Sequence, residues 1–353
     1  MLPISALDAI GPAIQRTRTF LFRPFRLPTF LKLCLVTLFT EGFGGNFNFS
    51  IPSGHSSSSA HFVDSPSTVT PLASLTTGHA AAIAAAALAF IVLCFIAYYL
   101  ITRLRFAYFH CLINNTREIR PGWRLYRAQA VRFFWLNVVV GLCFLLVVAI
   151  IALPFAEGFW RLFHRAPVGG HPDFGLLLSL LLPLIPIILL FVLAGVAADL
   201  ILRDFMLPHF ALDNATAGQA WAAVWARIKA EKVSFLVYGL LRLILPVAAM
   251  IGLLLVLLIP TLIIVAAFAL VEVAIHSAFA GAAGGAAIIG VLLESIVGLA
   301  AFGTALFVGL CLGGPLGTAI REYALLFYGA RYERLGGILF PPPDTLLNPQ
   351  GTA

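Results

Sequence analysis

Long uninterrupted apolar runs are the feature that most constrains the fold of this chain. A helix needs about 20 apolar residues to cross the hydrocarbon layer of a bilayer. Four stretches clearly reach that length, residues 80–101, 133–155, 174–202 and 234–259, and a fifth lies within 286–313. A water-soluble domain could not bury so much apolar surface. The sequence therefore predicts an all-α fold, a polytopic integral membrane helix bundle.

The composition excludes several other classes of protein. Of the 353 residues, 61% are hydrophobic and only 10% are charged, whereas a soluble domain carries about a quarter charged residues. A soluble enzyme, a coiled coil, a disordered chain and a disulfide scaffold are all excluded. The net charge of +7 lies mostly beside the apolar runs, which indicates anionic lipid headgroups, and not nucleic acid, as the partner.

A shorter apolar run, 27–40, decides the predicted number of spans. Basic loops stay on the cytoplasmic side, and basic residues are concentrated before Leu33, in 102–132 and in 203–232, whereas 41–79 has none. All three basic segments lie on the cytoplasmic side, with 41–79 outside, only if the short run crosses the membrane. The sequence thus predicts about six spans, with both termini in the cytoplasm.

The stretch 260–285 is apolar but follows the predicted span 234–259 without a polar break. We interpret it as an outer-side extension or a re-entrant piece, and the alternative is a seventh crossing that puts the C-terminal tail outside. The predicted organisation is a basic interfacial helix with a short first span (1–40), a flexible Gly/Ser-rich outer loop (41–79), the membrane bundle (80–330) and a tail (331–353).

Two segments one hundred residues apart are similar. Leu100–Arg103 matches Leu200–Arg203, and Trp123 matches Trp221 after a short gap. Each unit is a span, a basic turn, a short amphipathic helix and a second span, which predicts a pseudo-repeated span–basic turn–span unit. The residues at 115–118, like their counterparts in the second unit, have the spacing of a capping box and predict the start of the short helix.

The basic turn of the first unit is the candidate lipid site. Arg117, Arg120, Arg124 and Arg127 lie on the predicted cytoplasmic surface. A basic residue close to an anionic membrane surface contributes on the order of 1 kcal/mol to membrane binding. We therefore expect these four arginines to bind anionic headgroups.

Ionisable residues inside the apolar runs form the second candidate site. They are Asp199, Arg242, Glu272 and Glu294, and a charge at a helix centre costs about 2.5–3.5 kcal/mol on insertion scales. Consecutive elements are usually adjacent in space. The sequence therefore predicts an intramembrane charge pair between Asp199 and Arg242 that locks the bundle; a proton or substrate relay is the alternative.

Sequence motifs for catalysis are absent from the chain. It has no Walker loop, GxSxG, HExxH or paired-carboxylate motif in a polar context, so we predict no enzyme, no catalytic residue, no cofactor and no metal site. The leading hypothesis is a non-enzymatic integral membrane module that organises lipid or partner membrane proteins. The alternatives are a transporter or channel for a small or lipidic solute and, third, a lipid-modifying enzyme.

Three segments carry a resemblance to a known group: residues 10–26, the Arg203-Asp204-Phe205 turn with Pro208, and 321–327. They resemble segments of uncharacterised bacterial polytopic membrane proteins, a family distantly similar to the membrane region of glycerophosphoryl diester phosphodiesterases. The resemblance implies a six-helix membrane module of unknown activity, located in the bacterial cytoplasmic (inner) membrane. The apolar chain leaves no room for a phosphodiesterase catalytic domain, so that activity is not implied.

Overall fold

The computed structural model describes residues 4–42, 77–164, 174–281 and 283–341. These ranges are largely helical and contain no strand, which confirms the all-α prediction. Residues 43–76 of the predicted outer loop (41–79) and residues 342–353 of the predicted tail lie outside the described residues. Residues 41–42 and 77–79 are helical, so the prediction of a loop is wrong at both of its ends.

The described ranges hold eleven α-helices and two π-helical turns. In chain order they are α1 (Ile10–Phe22), α2 (Leu27–Thr37), a first π-helical turn (Leu38–Gly42), α3 (Thr77–Ile113), α4 (Ile119–Leu125), α5 (Arg127–His164), α6 (Phe174–Leu200), a second π-helical turn (Ile201–Met206), α7 (Leu207–Leu212), α8 (Ala217–Ala230), α9 (Lys232–Phe279), α10 (Gly285–Gly329) and α11 (Glu333–Leu339). Five of them provide segments long and apolar enough to cross a membrane, within α3, α5, α6 with its continuation to α7, α9 and α10. This agrees roughly with the six predicted spans, and the short first run corresponds to α2 and the first π-helical turn.

Helices α9 and α10 are longer than a bilayer requires. Helix α9 has 48 residues, which at 1.5 Å per residue makes it about 72 Å long, against a hydrocarbon layer of about 30 Å. Residues 260–279 continue α9 without a break, so they extend this helix and do not form a separate seventh crossing. The chain then turns through Gly281 and Gly284, which both have positive φ angles.

Buried side chains concentrate at one end of the long helices, which we call the polar end. Here the short helices pack around the last turns of α3 and α10 and the first turns of α5 and α9. The core is aromatic, and Tyr238 of α9 stacks on Phe327 of α10 with ring centroids 4.3 Å apart. In contrast, the most apolar windows of the five long segments contain no buried residue. The molecule is thus a packed polar end from which apolar helices project.

Helix α2 crosses α10 at very close range. A Cβ atom built on Gly314 would lie 2.4 Å from the Cβ of Cys34, and one built on Gly317 would lie 2.6 Å from the Cγ2 of Thr37. Small residues at a helix interface let two backbones approach closely. The two glycines therefore create the groove in which α2 lies.

The polar end confirms the pseudo-repeat. Helices α3 and α7 are both followed by an asparagine in the left-handed conformation, Asn115 at φ 50° and Asn214 at φ 52°. A short helix follows in each unit, and Trp123 of α4 and Trp221 of α8 occupy equivalent positions, four residues after the first residue of their helices. The two units thus share a left-handed asparagine after the first helix and a tryptophan at the same position of the short helix.

The two short helices begin differently from each other. Thr216–Gln219 forms the expected capping box at the start of α8. The capping box predicted at 115–118 is wrong, because Glu118 is the N-cap of α4 and makes no side-chain cap bond. Asn115 instead ends the preceding helix, and the next amide, of Thr116, donates to the carbonyl of Cys111 at 2.9 Å, as in a Schellman ending.

This ending gives a first testable expectation. Replacing Asn115 by valine should destabilise the protein by about 1–2 kcal/mol, because a side chain branched at Cβ fits the left-handed conformation poorly. Asn115→Gly is the matched control, since glycine adopts positive φ without a steric penalty. Thermal unfolding in detergent measures both variants. Equal losses for valine and glycine would contradict the backbone explanation.

Candidate functional site

Seven charged side chains meet where the polar end joins the apolar helices. They come from both π-helical turns and from α3, α6, α9 and α10, and we call them the charge network: Glu41, Arg105, Asp199, Arg203, Asp204, Arg242 and Arg321. Buried charges are stable in a protein only when they are paired and hydrogen-bonded. The contacts of the network show how these charges are paired.

Asp204 is the most deeply buried acid of the network, with 1% of its side chain exposed. Its Oδ2 accepts from Nε of Arg242 at 3.1 Å and from the hydroxyl of Tyr238 at 2.8 Å. Its Oδ1 accepts from Nη1 of Arg321 at 2.8 Å. One carboxylate therefore joins the second π-helical turn to α9 and α10.

Glu41 brings the first π-helical turn into the same network. Its carboxylate contacts Arg203 and lies 3.5 Å from Nη2 of Arg242 and 3.9 Å from Nε of Arg321. The neighbouring carbonyl of Thr40 also accepts from Nε of Arg105 at 3.1 Å. The end of the short first run is thus held by arginines from four other elements.

The structure corrects the predicted charge pair. Arg242 pairs with Asp204 and Glu41, and Asp199 pairs with Arg203 one helical turn away, with Oδ2 2.9 Å from Nη1. Asp204 lies further toward the polar end than Asp199, on the buried side of the π-helical turn, where Arg242 reaches it. Asp199 and Arg242 nevertheless line the same cavity.

Four residues of the network, Glu41, Arg105, Asp204 and Arg321, were not among the predicted site residues, although the sequence contains a signal for the arginines. An arginine followed one or two positions later by an aromatic residue recurs in Arg105-Phe106, Arg203-Asp204-Phe205 and Arg321-Glu322-Tyr323. Arg105 and Arg321 each precede the last residue of their helix by eight positions, and Arg203 precedes the end of α7 by nine. This recurrence is separate from the pseudo-repeat, in which Arg203 corresponds to Arg103, and it places the three arginines at similar distances from the ends of their helices.

A cavity of about 550 Å³ lies directly beside the charge network. Its walls are apolar and come from α2, α6, α9 and α10, with Val192, Val247 and Ile320 among them. Five charged residues of the network line it on the side of the polar end. Of these, Asp199 is the most accessible with 39% of its side chain exposed, followed by Arg242 with 15%.

The four arginines of the predicted lipid site divide into two groups. Arg117 donates from Nε to the carbonyl of Phe20 at 2.9 Å and from Nη1 to the carbonyl of Pro24 at 2.6 Å, so it fixes the corner between α1 and α2. The other three are exposed: Arg120, Arg124 and Arg127. Headgroup binding by these three stays a prediction.

A second polar cluster joins α7 to α11 at the polar end. Asp213 accepts from the hydroxyl of Tyr332 at 2.5 Å and from Nη1 of Arg334 at 2.8 Å, and it lies 2.9 Å from Nδ1 of His209. Burial alone would raise the pKa of the Asp213 carboxyl. The hydrogen bonds from Tyr332, Arg334 and His209 outweigh burial and hold the pKa below its usual value of 3.8.

A lowered carboxylate pKa contributes stability that is present above the ordinary value and is lost as the pH falls through the folded-state pKa. Asp213→Asn should therefore destabilise the protein by about 1 kcal/mol at pH 7, and the difference from the wild type should shrink below about pH 4. Unfolding at several pH values measures this, with Asp8→Asn on the exposed N-terminal segment as the control. A difference that stays constant with pH would contradict the assignment.

Within the described ranges, no group of three or more His, Cys, Asp and Glu side chains could hold a metal ion. His55, His61 and His171 lie outside the described residues, so this statement does not extend to them.

The five long apolar segments and the packed polar end define a multi-pass helical membrane protein. The model of a family of unknown function, DUF7544, matches residues 4–338, and the chain belongs to this family. No curated protein and no solved structure matches it. The comparisons show no similarity to glycerophosphoryl diester phosphodiesterases, so that part of the resemblance depends on the short motifs alone.

Proposed function

We propose that this protein is a non-enzymatic membrane module that organises lipid or partner membrane proteins around its apolar helices. The observation that carries the proposal is the division of the molecule. The polar end is densely packed, whereas the most apolar stretch of each of the five long segments contains no residue that is buried within the protein. Surfaces of this kind need lipid or other apolar helices around them, and a fixed polar end sets where those neighbours lie.

The proposed orientation puts the polar end and both termini in the cytoplasm of a bacterium, at its inner membrane. The basic segments of the sequence support it through the positive-inside rule. A contact between the two ends of the described chain also supports it, since Nη1 of Arg331 donates to the carbonyl of Ile4 at 3.1 Å. In this orientation Arg120, Arg124 and Arg127 face anionic headgroups.

The experiment is lipid analysis of the purified intact protein. We expect anionic phospholipid to co-purify with the wild type and to decrease at least twofold when Arg120, Arg124 and Arg127 are all changed to glutamine. The matched control changes the same three residues to lysine, which keeps the charge and should keep the lipid. Wild-type protein that retains no lipid and no partner protein in mild detergent would contradict the proposal.

A transporter for a lipidic solute is the second candidate, and the cavity between α6, α9 and α10 favours it. The charge network lies across the cavity on the side of the polar end, so transport would require ion pairs to separate. The test is a flux assay with fluorescent phospholipid in proteoliposomes. Movement of lipid between leaflets above the rate in protein-free liposomes would favour transport over the organising role.

A further inference from the structure

We propose that the cavity beside the charge network binds the headgroup of a zwitterionic phospholipid that has a primary amine, with the phosphate beside Arg242 and the ammonium beside Asp199. The inference deepens the proposed function, because it names the class of lipid that the module holds and the place where it holds it.

The shape and the lining of the cavity fit a phospholipid. Its volume of about 550 Å³ lies within the range of ligand sites in proteins. Two glycines with no close neighbour, Gly195 and Gly313, line it and leave room between the helices. Exposed apolar side chains stand beside it, with Val192 at 53% and Val247 at 58% exposure. A ligand with a polar head and apolar chains matches a cavity with one charged side and apolar walls.

The two most accessible charges of the lining, Asp199 and Arg242, have opposite signs. Asp199 extends from α6 and Arg242 from α9. Asp199 uses Oδ2 for Arg203, and among the described residues its Oδ1 has no hydrogen-bond partner. Arg242 uses Nε for Asp204, and its Nη1 has no hydrogen-bond partner in the same part of the chain. One acceptor and one donor are thus left for a ligand.

Five charged residues line the cavity: the carboxylates of Glu41, Asp199 and Asp204 and the guanidinium groups of Arg203 and Arg242. The two other arginines of the network, Arg105 and Arg321, do not line it. The lining itself therefore carries one more negative than positive charge, and a further anionic group without its own cation would be costly in this partly buried site. A phosphate joined to a primary ammonium adds no net charge, and each of its groups meets a side chain of the opposite sign.

The test compares headgroups by native mass spectrometry of the intact protein titrated with single phospholipids of equal chain length. We expect phosphatidylethanolamine to bind at least tenfold more tightly than phosphatidylglycerol, which has no amine, and than phosphatidylcholine, whose quaternary amine donates no hydrogen bond. Asp199→Asn should remove the preference for phosphatidylethanolamine over phosphatidylglycerol. Glu294→Gln, a carboxylate elsewhere in α10 with 31% of its side chain exposed, should keep it.

The outcomes separate this inference from the proposed function. Lipid that is retained without headgroup preference, or a preference that survives Asp199→Asn, overturns the inference and leaves the organising role intact. If the wild-type protein binds none of the phospholipids, both the inference and the proposed organising role are wrong. Soluble phosphoethanolamine serves as the competitor that tests the source of the headgroup. We expect phosphoethanolamine at millimolar concentration not to displace the bound lipid. If phosphoethanolamine bound as tightly as the lipid, the free headgroup and not the lipid would be the ligand, and the inference would be wrong.

Discussion

Asp204→Asn is expected to destabilise the protein by about 3–5 kcal/mol, the loss typical of a buried ion pair from which one partner is removed. The substitution keeps the size of the side chain but leaves Arg242 and Arg321 without the carboxylate that both of them contact. Thermal or denaturant unfolding of the purified protein in detergent measures the change. Asp199→Asn is the control, because its carboxylate is 39% exposed and its loss should cost less than about 1 kcal/mol.

A double-mutant cycle tests whether the loss belongs to the ion pair. Arg242→Met removes the guanidinium and keeps an apolar side chain, so the double variant with Asp204→Asn should be more stable than the sum of the single losses predicts. The same cycle with Asp199→Asn should be close to additive, because Asp199 pairs with Arg203. If the losses of stability were additive for Asp204 and Arg242 but non-additive for Asp199 and Arg242, Asp199 and not Asp204 would be the partner of Arg242.

Gly314→Val is expected to displace α2 from its groove. The first atom of the new side chain would lie 2.4 Å from the Cβ and Sγ of Cys34, and overpacking of this kind typically costs 1–3 kcal/mol, occasionally more. Loss of thermal stability reports the cost. The thiol of Cys34, fully buried in the wild type, should then become reactive toward maleimide, which peptide mass analysis detects at that residue.

The matched control is Gly309→Val in the same helix. A Cβ at Gly309 has no neighbour within 4 Å, so this variant should unfold like the wild type and keep Cys34 protected. Protection of Cys34 in Gly314→Val would mean that α2 does not depend on the groove.

The sequence is sufficient to predict the apolar helices, the pseudo-repeat and the tryptophan in each repeated turn. These features follow from patterns that are local or that recur along the chain: a run of apolar residues determines a span, and the same turn chemistry appears twice. The capping box at Thr216–Gln219 was predictable for the same reason, since both partners lie within one turn of helix. The short first run was harder to interpret, because its place depends on the groove in α10.

The partner of Arg242 could not be derived from the sequence. Asp199 was chosen because it lies inside the preceding apolar run, whereas Asp204 lies just after that run. The choice between the two acids depends on the π-helical turn at Ile201–Met206. Such a turn rotates the residues that follow it relative to a regular helix, and no sequence period indicates where it occurs. Glu41 was missed for another reason, because its contacts with α10 join residues almost three hundred positions apart.

The charge network also has a consequence for the order in which the chain is assembled. Glu41 precedes all five long apolar segments along the chain, and Arg321 belongs to α10, which is the last of these segments in the described ranges. Until α10 arrives, neither Glu41 nor Asp204 has its full set of counter-charges, and the groove that receives α2 does not exist. The N-terminal segment must therefore wait for the last helix, and the two repeated units cannot mature as independent halves.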